Sequence, residues 1–199
     1  MAANRWQWDD PKHLALLVGI DMVLFASWKV HLGTLPELLW FCNAASLILV
    51  PALWFEATVL VGMVLLLRLA LGEPGHLYAF AVTREVEWIS VLANLPPLLA
   101  AWWYLRHRGF PRHAALWALA FVGLALGLSR LLTPAALNVN LVFHRHGLLA
   151  GPFPGLWSYR IALTMLIVGL LTLGEWVLTR WLKPPGEPAP ATGLKELGP

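Results

Sequence analysis

The sequence predicts an all-α fold, a polytopic transmembrane helical bundle of about six spans, and three observations predict it. Charged residues make up 13% of the chain and hydrophobic ones 59%, whereas a soluble domain is about a quarter charged. Such a chain cannot cover a globule with polar surface in water, and a bilayer removes that requirement. Several windows of about 18 to 20 residues are apolar almost throughout, the length a helix needs to cross a bilayer. Of the 12 tryptophans, Trp28, Trp54, Trp88, Trp102, Trp103, Trp157 and Trp181 fall at span ends, where their amphipathic rings favour the headgroup layer.

Residues 1–12 read as a short polar N-terminus, with Trp6 and Trp8 suited to the interface. Span one covers 13–30. It follows Asp9 and Asp10, contains Asp21 and lacks both a basic n-region and a small-x-small cleavage site. It therefore reads as a retained span rather than a signal peptide. Lys29 at its end is placed to snorkel.

Pro36 suits the first turn of span two, which continues to about residue 53. From Leu35 to Gly72 there are 38 residues with little polar relief. One helix of that length would measure about 57 Å, too long for a core of roughly 30 Å. Two spans and a tight turn fit instead, and Pro51, Glu56 and Thr58 are the candidates for the turn. Span three is then about 57–71, with Arg68 near its end.

Residues 72–87 read as a loop. Span four covers about 88–105 and carries Asn94, Pro96 and Pro97, the paired prolines predicting a kink and freed carbonyls. A basic loop, 106–113, follows. Span five covers 114–132 with Gly123 and Gly127 in GxxxG spacing. Residues 133–157 form the longest loop, span six covers 158–182, and the Pro-rich tail from 183 to 199 reads as disordered. The transmembrane domain is thus 13–182.

Six spans place the N-terminus, the 106–113 loop and the C-terminus on one side. That side holds eight of the 14 Lys and Arg residues. The dense cluster at Arg106, Arg108 and Arg112 predicts a multi-pass protein of the cell membrane with both termini cytoplasmic. The small net charge of +3 is a topology signal and points to no nucleic-acid partner.

Ionisable groups in the hydrocarbon are costly, so each is a default site. Asp21, mid-span between apolar neighbours, is the strongest candidate for a binding cavity; a packing carboxylate paired with an arginine is the alternative. Arg68 and Arg130 close spans three and five, where each reaches the interface or neutralises Asp21. Glu175 reads as a packing or snorkelling residue, and Glu37 and Glu56 as solvated.

The lone cysteine, Cys42, excludes an internal disulfide framework and CxxC chemistry. A buried free cysteine is usually a small hydrophobe, while a nucleophilic one needs a base or cation beside it. All seven histidines fall in loops or at span ends. That argues against a Cys–His dyad deep in the membrane and against b-type haem, which needs mid-span ligands. His144-x-His146 offers too few ligands for a specific metal site. No cofactor and no metal is expected. The remaining binding candidates are Asn43, Asn94, Asn138, Asn140, Tyr159 and Arg130, which together could line a polar cavity.

Three stretches together resemble the YwaF-like six-span integral membrane proteins. They are Leu35-Pro36-x-Leu38 with Cys42-Asn43-Ala44-Ala45, Pro74, and Asn138-x-Asn140-Leu141-Val142-Phe143 before the last span. The resemblance covers about residues 13–182. It implies, by analogy with acyl-transferring relatives that use a Cys in span two and a His in span four, that Cys42 is the nucleophile. The position matching that histidine lies near Asn94, whose amide cannot serve as a general base.

Three functions remain in view. The chain binds or transports a small molecule or lipid in an intramembrane cavity; it is an intramembrane acyl-transfer or ester-hydrolysing enzyme acting on lipids through Cys42; or it is an accessory subunit with a membrane-protein partner.

Overall fold

A computed structural model describes residues 10–77, 88–137, 139–141, 152, 153 and 155–183, with the side chains of Ser90, Val91 and Leu141 left aside. Trp6, Trp8, Asn138, the His144–His146 pair and the tail from residue 184 lie outside the described residues. The described residues are all-helical. Six main helices occur among them: α1 (Pro11–His31), α2 (Phe41–Trp54), α3 (Thr58–Leu77), α4 (Trp88–Arg108), α5 (Ala114–Leu132) and α6 (Leu156–Trp181). Four of these, α1, α3, α5 and α6, are long and apolar enough to cross a bilayer.

Local chemistry sets the helix ends. Asp10 caps α1, its carboxylate accepting from Lys12 N at 2.9 Å with Pro11 in the first turn, as both residue types favour. At the other end Gly33 adopts φ +70°, and Gly33 N and Thr34 N donate to Val30 O and Lys29 O. This is a Schellman close, which needs a left-handed residue after the C-cap. Pro36 does not open α2. It lies in a short 3-10 segment, Leu35–Leu39, and α2 begins at Phe41. The tight turn between α2 and α3 lies at Phe55–Ala57, where Glu56 takes φ +52°.

α3 is the central helix, packed on α2, α4, α5 and α6, while α1 lies against α2 and α4. Residues Val61 to Leu67 are all buried, the mark of a helix that is apolar all round and surrounded by others. The outer helices keep apolar faces turned outward: Leu16, Val23 and Leu24 on α1, Leu116 and Leu124 on α5, Met165 and Leu173 on α6. In water that surface would be unfavourable by about 25 cal/mol per Å²; lipid tails accept it.

The ends of the helices sort into two groups. At one, Lys12 Nζ lies over the Trp54 ring at 6.0 Å, Arg108 pairs with Glu56 at 2.6 Å, and Phe110 N donates to Leu182 O at 2.7 Å. At the other, Lys29 pairs with Glu37 at 2.8 Å and Asn140 meets the start of α2. Lys29 is therefore buried rather than snorkelling, and Glu37 is engaged rather than solvated.

Two further expectations change. The helix of α3 does not stop near residue 71; it runs to Leu77. It does so through a π-turn, Arg68–Gly72, in which Glu73 N donates to Arg68 O. Pro74 supplies the reason, since it has no N–H to offer the Ala70 carbonyl and the ladder widens just before it. Gly123 and Gly127 meet no atom within 4 Å of an added Cβ, so the GxxxG pair forms no helix contact with the described residues of this chain.

Candidate functional site

The π-turn places Arg68 at the centre of the bundle. In a regular α-helix neighbours on one face are three or four apart. Here the five-residue hydrogen bond turns Arg68 and Glu73 towards each other, with Nη2 to Oε1 at 3.4 Å. Arg68 is fully buried. Its Nη1 donates to Ser46 Oγ at 2.6 Å and Cys42 O at 3.4 Å, and its Nη2 donates to Asn94 O. That carbonyl lies just before Pro96 and Pro97, in the stretch of α4 where the prolines withdraw two backbone donors. Of the two expectations for Arg68, reaching the interface or neutralising Asp21, the first does not hold: it is a buried cation held by groups from α2, α3 and α4.

Around it stand several sequence-predicted residues. Cys42 opens α2 and lies against the π-turn: a Cβ added at Gly72 would come within 3.2 Å of Cys42 Cβ. Its Sγ is 3.6 Å from Asn43 Oδ1. Asn43 is buried, its amide donating to Glu37 O at 3.0 Å, which ties α2 to the 3-10 segment. Asn94 is buried and its side-chain nitrogen lies 2.8 Å from His76 Nε2. With the amide donating, that imidazole carries its proton on Nδ1. Asp21 on α1 is half-buried, and its Oδ2 is buried with no hydrogen-bond partner.

The histidine expectation thus needs correction. His76 is not in a loop. It sits in the last turn of α3 and brings an imidazole to Asn94, the position where the histidine of span four was expected from the resemblance and not found. No imidazole is hydrogen-bonded to Cys42 among the described residues.

The remaining candidates lie elsewhere. Asn140 is buried and clamps the start of α2: its Oδ1 accepts from Phe41 N at 3.0 Å, and its Nδ2 donates to Leu39 O at 2.7 Å and Ser129 Oγ at 2.8 Å. Its hydrogen-bonding capacity is largely taken up by the fold. Tyr159 is buried near the start of α6, edge-on to Phe153 at 6.5 Å between ring centroids. Arg130 is exposed in the last turn of α5. Glu175 neither packs inertly nor snorkels: its carboxylate accepts from His113 N at 2.7 Å and Ala115 N at 2.8 Å. It caps α5 from a neighbouring helix, a role suited to the positive end of the helix dipole.

Sequence reasoning missed Arg68 as the centre, with Ser46, Glu73 and His76 beside it. The signal was present but concealed. Arg68, Gly72 and His76 have i, i+4, i+8 spacing, but Gly72-Glu73-Pro74-Gly75 reads as a loop. Among the described residues no group of three His, Cys, Asp or Glu could hold a metal ion.

Comparison of the chain with protein-family models, with curated proteins and with solved structures gives no match. The resemblance to YwaF-like proteins rests on the quoted residues alone.

Proposed function

We propose that this chain is a multi-pass protein of the cell membrane, crossing about six times with both termini cytoplasmic, that binds or transports a small molecule or lipid in a polar intramembrane site centred on Arg68. One observation carries the reading. Arg68 is wholly buried among Ser46, Asn94, Cys42 and Glu73, and whereas Glu37 meets the buried Lys29 at 2.8 Å, Glu73 stands 3.4 Å from Arg68. Burying a cation without a close counter-charge is costly, and a ligand of opposite charge would offset that cost.

The six crossings need α2 and α4 as well. α2 has 14 residues, about 21 Å at helical rise, and the 3-10 segment ahead of it adds about 10 Å. Together they match a hydrocarbon core of roughly 30 Å. The gathering of Lys12, Arg108 and Lys183 at the end shared by α1, α4 and α6 supports cytoplasmic termini.

The test is native mass spectrometry of the protein released gently from its membrane, on wild type and Asn94→Leu. A small molecule or lipid retained by wild type and lost from the variant supports the reading. A stoichiometric protein partner with no ligand overturns it in favour of an accessory subunit.

A second reading is favoured by His76. Cys42, His76 and Asn94 are the three residue types of a thiol acyl-transfer site. In that reaction the thiolate would attack an ester carbonyl, the departing alcohol would take a proton from the imidazolium, and the thioester would pass its acyl group to water or an acceptor alcohol. A thiol-directed acyl analogue should then label Cys42, more slowly in His76→Gln. Unreactive Cys42 would remove this reading.

A further inference from the structure

We infer that the ligand of this site carries an oxyanion, a carboxylate or a phosphate group, and that Arg68 receives it on its Nε–Nη2 edge. The inference rests on the binding reading above and names the chemistry of what is bound.

The guanidinium is fully buried, and every hydrogen bond described for it runs through Nη1 or Nη2. Its Nε–H is buried without an acceptor. Unsatisfied buried polar groups are few in native proteins, and each calls for a water, an ion or a ligand. The position of this one is informative. Nε and Nη2 form one edge of the guanidinium, two parallel donors spaced for the two oxygens of a carboxylate or phosphate.

That edge is half used. Glu73 Oε1 meets Nη2 alone, at a long 3.4 Å. The Glu73 side chain is 36% exposed, so it has room to withdraw when a two-oxygen acceptor arrives. It acts as an internal stand-in for the ligand. Asn94 adjoins the same guanidinium through its backbone carbonyl, and its side chain meets His76 at 2.8 Å.

A free anion from water and the head group of a fatty acid or anionic lipid present the same oxygens. The experiment separates them. The full chain is placed in phosphatidylcholine nanodiscs and its thermal unfolding midpoint is followed with sodium phosphate, sodium acetate, palmitate or phosphatidic acid, with diacylglycerol as the neutral control. A raised midpoint with palmitate or phosphatidic acid alone assigns an amphiphile; a rise with phosphate or acetate as well assigns a free anion. Arg68→Lys keeps the charge but loses the paired edge, and binding should weaken on the order of tenfold. Glu73→Gln removes the competing carboxylate and should tighten binding. No rise with any anion, or an equal rise with diacylglycerol, overturns the inference. A rise with diacylglycerol alone leaves the binding reading standing and removes the anion from it. If Arg68→Lys fails to fold, Glu73→Gln decides, and unchanged or weaker binding there overturns the proposal.

Discussion

Arg68 and Asn140 are both buried polar side chains, but they stand in different positions energetically. Arg68 carries a charge that Glu73 meets loosely, and on α1 the Asp21 Oδ2 is buried with no hydrogen-bond partner. Removing the Arg68 guanidinium takes the donor away from Ser46 Oγ and Asn94 O while Glu73, 36% exposed, can turn to water, and a buried acceptor left unmade costs about 1–3 kcal/mol. Arg68→Leu should therefore lower stability by about that amount in a denaturant titration of the detergent-solubilised protein. Adding Asp21→Asn should restore part of the loss, because one stranded carboxylate is then neutral. Simple additivity of the two changes would show that Asp21 is not coupled to Arg68. Asn140 is neutral and makes three hydrogen bonds while holding φ +54°, a region asparagine tolerates better than most residues. Asn140→Ala loses the bonds and strains the backbone, for a cost of about 3 kcal/mol. Asn140→Gly should cost less, since it relieves the strain while losing the same bonds. Equal midpoints for the two variants would count against the strain.

At the scale of elements, several helix ends and contacts depend on residues from other helices. α5 has no side-chain cap of its own, and His113 before it takes φ +69°. Glu175 of α6 supplies the acceptors through both carboxylate oxygens. Glu175→Gln turns one of those acceptors into a donor facing an N–H, and should cost about 1–2 kcal/mol. Amide exchange should accelerate at Ala115 and its neighbours and stay unchanged in α1; uniform acceleration would point to global destabilisation instead. The glycines divide in the same way. An added Cβ at Gly62 would lie 2.5 Å from the ring of Pro111, and that ring cannot rotate aside, so Gly62→Ala should lower the unfolding midpoint. At Gly123 the same atom meets nothing, and Gly123→Ala should be neutral or stabilising by about 0.5–1 kcal/mol. A fall in oligomer mass with Gly123→Ala would reveal an intermolecular contact that this chain alone does not make.

For the molecule as a whole, what was legible in the sequence followed from hydropathy and length. α5 occupies the predicted 114–132, because its apolar run is bounded by a basic loop and a Thr-Pro break. α1 and α6 match to within two residues of their predicted ends. The centre of the site was not legible, because its charge is stabilised only in three dimensions. Arg68 lies ten residues into α3, and its partners come from α2 and α4, at sequence separations of 22 and 26. The continuation of α3 past Gly72 was hidden too, since a π-turn before a proline leaves a local pattern like that of a loop. The grouping of helix ends leads to the last prediction. Lys12, Glu56, Arg108 and Leu182 share one end of the bundle, and Lys29, Glu37 and Asn140 share the other. A Cys42→Ser background leaves the chain without cysteine, so single cysteines can report each end. Arg112→Cys should react with a membrane-impermeant maleimide only after the cytoplasmic face is opened, and Gly155→Cys should react in intact cells. The reverse pattern would invert the protein in the membrane, and reaction of both from outside would require an even number of crossings between them.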